Sequence, residues 1–348
     1  MANERFHAIY VEKAAEAWPL TQQILARYPD CPVIPIRHYK DIFNRPHQDQ
    51  ILQKRHPSLI LAVKHEPLIY AGSGACQDFG AKHFYYASLL LNCPFDCDYC
   101  FLHGMYPSAN LVAFVNVADF AQAMVSLADR NGPSAGQDGQ VGQDGQGGPA
   151  ALLAVSYETD LIALHHEIPY LDLLHQTFAS LARLAVQVRT KSADRSVYEH
   201  LLPLKNLIIA FSLLPDSVRL KYEKRTPPLA MRLAAVEAAL AHGFQVRLCF
   251  DPILAEPALN EFYEPFFRSV FDRIDPAAIV DVSYGFFRMP RTFFNRIARQ
   301  RPDLPLYSGP IDTELDTVSY PRSLREEMQS RHLEILTGYL DKSRIFTI

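Results

Sequence analysis

Three cysteines, Cys93, Cys97 and Cys100, fall within eight residues, in the run SLLLNCPFDCDYCFLHG. Three thiolates on one loop can hold three irons of an iron–sulfur cube and leave the fourth iron open. An open iron can bind a substrate or cosubstrate, whereas a fourth cysteine would give a plain electron carrier. The same thiols with His103, in the continuation C-F-L-H, also spell a Cys3His zinc site. Structural zinc sites usually pair two short knuckles across a longer loop, and here every ligand would come from one knuckle. Three thiols packed without metal fit poorly, because Pro94, Asp96 and Asp98 interleave with them. The pattern points to an enzyme built on a reactive cluster. Tyr99 places an aromatic ring beside the last cysteine, where it can shield the cluster or pack on a cosubstrate.

The elements that position this loop are read from hydrophobic periodicity. Short apolar runs at 87–91, 111–115, 151–155, 185–188, 207–211, 246–250 and 279–282 alternate with helix-period segments such as 170–184 and 229–242. That alternation predicts βαβ units and a parallel sheet. The run at 111–115 lies too close to the cysteines to be a second barrel strand, and reads as an extension or edge element. Six strands remain for an incomplete (β/α)6 TIM-like barrel over 86–310. Residues 1–85 form a small N-terminal α/β extension with strands at 33–36 and 59–63. Residues 311–348 read as a helical segment packing on the barrel, with a terminal strand near 344–348. Residues 132–149 repeat GQDGQ and hold seven of the fifteen glycines, which predicts a disordered insertion.

Composition narrows the class. The 348 residues are 49% apolar, enough for a large core, and the formal net charge of −4 advertises no nucleic-acid partner. Six cysteines, three clustered and Cys31, Cys76 and Cys249 scattered, do not form a secreted disulfide framework. Cys31 and Cys76 lie upstream of the barrel and read as structural, with a labile role left open for Cys76 beside the Ala71-Gly72-Ser73-Gly74 stretch. Residues 1–20 lack a signal-peptide core, and no stretch approaches the ~18 apolar residues of a membrane helix. The expectation is a cytoplasmic protein in a reducing compartment with no membrane partner.

In parallel-barrel enzymes the reactive groups gather at the carboxyl ends of the strands. Those positions hold Tyr157, Thr159 and Asp160, then Lys191, Ser212 and Asp251, with Tyr284 and Arg288 after the sixth strand. Each has a plainer alternative: Asp160 a helix cap, Lys191 a solvated loop lysine, Ser212 a turn cap, Asp251 a partner for Arg247. His165 and His166 read as core or surface residues. The run 288–301 carries five arginines and two phenylalanines, and Arg219, Lys221, Lys224 and Arg225 make a second basic group. Both can meet phosphate, and both can equally be the charged face of an ordinary helix.

The spacing C-x3-C-x-aromatic-C after a barrel strand resembles the radical S-adenosylmethionine superfamily, and within it the spore photoproduct lyase family. Supporting matches are Ile9-Tyr10-Val11-Glu12, the run LVAFVN at 111–116, Thr159-Asp160, Thr190-Lys191, Phe211-Ser212 and Asp251-Pro252-Ile253. The resemblance implies a [4Fe–4S] cluster on Cys93, Cys97 and Cys100, with S-adenosylmethionine on the open iron. Electron transfer from the cluster would cleave the cosubstrate to a 5′-deoxyadenosyl radical, which abstracts hydrogen from the substrate. Tyr99, Thr159, Asp160, Lys191, Ser212 and Asp251 would bind the cosubstrate. Partners implied are DNA with damaged pyrimidines and an electron donor such as flavodoxin or ferredoxin. The chain departs from the family at two positions. Tyr157 stands where the lyases carry a hydrogen-returning cysteine, and Phe101 replaces a common tyrosine. The donor is then Tyr157, or Cys249 on the fifth strand, or the substrate needs none.

Overall fold

The computed structural model describes residues 5–73, 76–131, 150–181 and 184–348. The glycine–glutamine segment expected to be disordered lies outside the described residues. Two sheets organise the rest. The larger has eight strands in the order Ile345–Thr347, Asp281–Phe286, Gln245–Ile253, Leu207–Ser212, Leu184–Thr190, Ala151–Ala154, His83–Ala87 and Ile69–Ala71. Every pairing is parallel except the last, Ile69–Ala71 on His83–Ala87. The two outer strands are not paired to each other, so the sheet is a half-barrel with an open seam. The expected incomplete barrel is present in this form, and the terminal strand enlarges it: Ile345 pairs with Val282 and Thr347 with Tyr284.

The central strands are nearly continuous buried runs, as parallel strands covered on both faces must be. Helices Tyr170–Ser180, Leu229–Ala241 and Tyr263–Phe271 make crossovers between them. The sequence punctuates these helices. Pro227-Pro228 precede Leu229–Ala241, and Gly243 follows at φ +82°, the left-handed conformation that ends a helix cheaply only with glycine.

The smaller sheet corrects two expectations. Its order is Val33–Ile36, Ile9–Glu12, Leu59–Ala62, Leu111–Phe114, Leu90–Leu91. The 111–115 run is therefore neither a barrel extension nor an edge; it lies inside this sheet, with Leu59 opposite Leu111 and Leu91 opposite Val112. The barrel strand ahead of the cysteines is His83–Ala87, and the leucines at 90–91 cross into the smaller sheet. The half-exposed sequence HFYYA carries a weak signal, and the leucine run beside it a strong one. The sheet of the N-terminal extension thus draws strands from both sides of the cysteine loop.

The Arg322–Thr337 helix docks through His332, whose Nδ1 lies 2.8 Å from the Tyr284 hydroxyl. Burial against the rings of Tyr263, Phe267 and Tyr284 lowers the His332 pKa to about 4. The folded state holds this imidazole neutral, while the unfolded chain protonates it below about 6.5. Its contribution is complete above that pH and is lost as pH falls toward 4, by about 3 kcal/mol at most. Urea midpoints should drop across that window, and His332→Gln should flatten the drop. An unchanged pH profile in the variant would refute this source of acid sensitivity.

Candidate active site

The cysteine loop is pinned at its entrance by Asn92. This residue sits at φ +70°, and its side-chain amide donates to the carbonyls of Ser108 and Asn110, both at 2.8 Å. Further on, Asp96–Cys97 pairs antiparallel with Glu223–Lys224, which sets Cys97 opposite Glu223. From the N-terminal extension, buried Lys54 donates to the carbonyls of Cys93 at 2.6 Å and Phe95 at 2.8 Å. Arg225 in turn donates to the Lys54 carbonyl. Lys54→Met should leave both loop carbonyls without their donor and cost about 2–4 kcal/mol in urea unfolding. A cost below about 0.5 kcal/mol would show that this clamp does not hold the loop.

All three cysteines border one cavity of about 490 Å³, a volume suited to a nucleoside-sized ligand. Cys97 is buried, and Cys93 and Cys100 are half-buried. Burial raises all three thiols, Cys93 to about 12, so on their own they stay protonated. A bound cationic centre is what would hold them as thiolates. One zinc ion with bonds near 2.3 Å needs sulfurs about 3.8 Å apart. Among the described residues, the three thiols do not gather with all ligand atoms within 4.8 Å of one another. His103 is buried with Nε2 facing the Asp96 carboxylate at 3.3 Å. With His103 turned to Asp96, the Cys3His set is not assembled, whereas three thiols on one cavity wall are the ligands that a cluster with an open iron would use.

The expected strand-end residues converge here: Tyr99, Tyr157, Thr159, Asp160, Lys191, Ser212 and Asp251 all line the cavity. Their hydrogen bonds sort them. Asp160 is spent on structure, accepting from Lys191 N at 2.7 Å, Ala163 N at 3.0 Å and Thr190 Oγ1 at 2.8 Å. Thr159 Oγ1 is buried and has no hydrogen-bond partner among the described residues, which leaves it for a ligand. Ser212 Oγ accepts from Arg189 Nε at 2.9 Å. Lys191 is no solvated loop lysine: it borders the cavity, with Nζ 5.7 Å from the Tyr99 ring centre and 3.9 Å from Glu223. Tyr99 and Arg232 both donate to Glu223. Burial works against the Glu223 charge, yet Arg232 and Lys191 hold its carboxyl below the ordinary range.

Three expectations change. Asp251 does not pair with Arg247. It meets Arg288 at 3.1 Å and Arg189 at 3.6 Å, and these guanidiniums outweigh burial to keep it ionised. Arg247 instead bonds Asp281 on the adjacent strand and Gln187 two strands away in the sheet. Cys249 is fully buried and is not on the cavity wall, so a donor role from that position lacks access. Tyr284 is occupied with His332 away from the rim, while Arg288 does line the cavity.

Cys76, for which the sequence leaves a structural and a labile reading open, gains a specific place at the site. The loop between Ile69–Ala71 and His83–Ala87 brings Ser73, Cys76, Gln77 and Phe79 to the cavity wall. Cys76 Sγ lies 3.2 Å from the Tyr157 hydroxyl. The Tyr157 ring packs at 4.5 Å from Tyr86 and 5.6 Å from Phe101. No cysteine is near Tyr157 in sequence, but one touches it in space. No local spacing could reveal a contact across 81 residues.

The basic groups are largely absorbed by the framework. In the 288–301 run, Arg288 pairs with Asp251, Arg296 donates to the Gly104 carbonyl, and Arg301 bridges Asp96 and Asp98. A Cβ at Gly104 would lie 2.6 Å from the Phe293 carbonyl oxygen, so glycine permits the Arg291–Gln300 helix to press on the cysteine loop. Arg219, Lys221, Lys224 and Arg225 each have protein partners, respectively Asp216, Glu256, Asp98 and the Lys54 carbonyl.

No protein-family model matches the sequence, and no curated protein does. Solved structures do match in fold. A spore photoproduct lyase mutant with bound AdoMet and dinucleoside spore photoproduct superimposes with a TM-score of 0.76 at 14% identity, covering 98% of each chain. The same lyase complexed with dinucleoside spore photoproduct gives 0.75 at 14% identity over 98% of each chain. In fold the chain resembles spore photoproduct lyase over nearly its whole length.

Proposed function

We propose that this protein is a radical S-adenosylmethionine enzyme that repairs spore photoproduct, the thymine dimer of damaged DNA. The observation that carries the reading is the trio of thiols on one loop, all bordering a 490 Å³ cavity at the strand ends. When bound, a [4Fe–4S] cluster with one open iron supplies the electron that cleaves S-adenosylmethionine and so generates the hydrogen-abstracting 5′-deoxyadenosyl radical.

The chain's residues bind and orient around that chemistry. Cys93, Cys97 and Cys100 hold the cluster. Lys191 offers a cation to the cosubstrate carboxylate, and Thr159 and Ser212 offer hydroxyls to its polar groups. Asp160 fixes the turn that presents Thr159 and Lys191. Tyr99, tied to Glu223, walls the cluster from water. Asp251 with Arg189 and Arg288 makes a polar rim, while Tyr86, Phe101 and Tyr157 offer aromatic faces to a pyrimidine. Cys76 takes the hydrogen-returning role left vacant by Tyr157. Its S–H gives a hydrogen atom to the product carbon radical, leaving a thiyl. Tyr157 O–H then restores the thiol and becomes a phenoxyl. One electron from a reductant and one proton return the phenol. That reductant, and the cluster's own, is a small electron carrier of the flavodoxin or ferredoxin kind in the cytoplasm.

The test is anaerobic loading with iron and sulfide, reduction, and addition of S-adenosylmethionine with dinucleoside spore photoproduct. Formation of 5′-deoxyadenosine and of thymine is expected. If 5′-deoxyadenosine forms without thymine, the substrate assignment fails and the radical chemistry stands. If neither forms in cluster-loaded protein, the whole reading falls.

A further inference from the structure

Away from the cavity, three side chains from three separate segments converge. His165 lies in the turn that follows the Ala151–Ala154 strand, Asp172 in the first turn of Tyr170–Ser180, and His200 at the end of Ser196–His200. One ligand atom from each lies within 4.8 Å of the other two. Among the described residues no other trio of histidine, cysteine and carboxylate side chains is gathered this closely. We propose that His165, Asp172 and His200 form a binding site for a divalent transition-metal ion of the zinc class.

The hydrogen bonding makes the argument. His200 Nδ1 lies 2.7 Å from the Ser196 carbonyl oxygen, which can only accept, so Nδ1 carries a hydrogen. The lone pair of the neutral ring is thereby directed from Nε2, which lies 2.8 Å from Asp172 Oδ1. A backbone carbonyl fixing the far nitrogen is how metal-binding histidines are usually oriented. On the other side, His165 Nε2 lies 3.5 Å from Asp172 Oδ2. One carboxylate thus faces two imidazole nitrogens. His165 can meet the carboxylate as a neutral ring donating from Nε2, but its buried Nδ1 then has no partner among the described residues, and His200, with Nδ1–H on Ser196, can donate to Asp172 only as a cation. One divalent cation answers all three groups at once.

Two nitrogens and one carboxylate oxygen suit zinc, with bonds near 2.0–2.1 Å and ligand atoms about 3.4 Å apart. Reaching that spacing from the present one needs only small rotations, and Asp172 and His200 are exposed enough to make them. The fourth position opens to solvent on their side. A metal here would tie the turn after Asp160 to two helices, bracing the cavity wall that carries Thr159 and Lys191. The neighbouring His166–Asp194 pair, at 3.2 Å, is separate and keeps its own partner. The proposal does not depend on the reading of the cavity.

The probe is cobalt(II), followed by zinc, added to the full-length protein. About one equivalent should bind with ligand-field bands of a nitrogen–oxygen site and without the thiolate charge-transfer band that cysteine ligation would give. Asp172→Ala and His200→Gln should each weaken binding by about 100-fold or more. His175→Gln, on the same helix but bonded to the Leu202 carbonyl, should not change it. Zinc should raise the thermal midpoint of the wild type and not that of His200→Gln. Because His200 is half-exposed, its variant remains folded and decides the matter if Asp172→Ala does not fold. Absence of cobalt uptake outside the cysteines, or uptake indifferent to His200→Gln, overturns the proposal.

Discussion

Cys97→Ala protein, reconstituted anaerobically, will bind little iron and form 5′-deoxyadenosine only at background. Cys97 is the most enclosed of the three loop thiols and is held opposite Glu223 by strand pairing. Replacing its sulfur by hydrogen removes one of three protein ligands, and the remaining two cannot keep a cluster with one exchangeable corner. The structural cost is small by comparison: one buried sulfur lost from a well-packed site costs about 1–2 kcal/mol. Circular dichroism and a urea midpoint should therefore change little while iron content and cosubstrate cleavage collapse. Cys249→Ala is the matched control, equally buried but off the cavity, and should retain both iron and cleavage. Retention of iron and 5′-deoxyadenosine by Cys97→Ala would remove the cysteine loop from the chemistry.

The second large effect separates hydrogen abstraction from hydrogen return. Cys76→Ala should still cleave S-adenosylmethionine, because Cys76 does not hold the cluster. The yield of thymine per 5′-deoxyadenosine should fall about tenfold or more, with adducts of the unquenched radical taking its place. A tenfold loss corresponds to about 1.4 kcal/mol in the competition between return and side reaction. Tyr157→Phe keeps the ring packing on Tyr86 and Phe101 but removes the hydroxyl 3.2 Å from Cys76 Sγ. A single turnover should then survive, while repeated turnover should slow, since the thiyl is no longer reset. Equal thymine yields from Cys76→Ala and wild type would exclude the thiol from the return step.

How much of this was legible beforehand follows from the range of each signal. The cysteine spacing is local, and its chemistry could be read directly. Thr159, Lys191, Ser212 and Asp251 were legible because parallel strands must end on one side, and their pairing keeps those ends level: Ser212 stands opposite Cys249, and Cys249 opposite Ser283. What each residue spends its hydrogen bonds on was not legible. The Asp160 carboxylate is consumed by Lys191 and Thr190, 31 and 30 residues away, and Asp251 chooses arginines over Arg247, which is nearer in sequence. The place of the Leu111–Phe114 strand is not legible because its main partner, Leu59–Ala62, lies about fifty residues upstream, on the far side of the His83–Ala87 barrel strand. The place of Cys76 beside Tyr157 is not legible either, since the contact spans 81 residues. Tertiary contact alone gives it a role, and no periodicity encodes that contact.

The shared seam between the sheets bears on the order in which a ribosome delivers this chain. Val112 must lie beside Ile60 before the sheet of the N-terminal extension is complete. A nascent chain that ends before residue 111 therefore exposes the apolar Leu59–Ala62 strand as an unfinished edge, open to wrong partners. By the time that edge is sealed, all three loop cysteines have already been synthesised. The smaller sheet therefore closes only around the cysteine loop, and excising the N-terminal extension before residue 111 would leave its sheet unfinished.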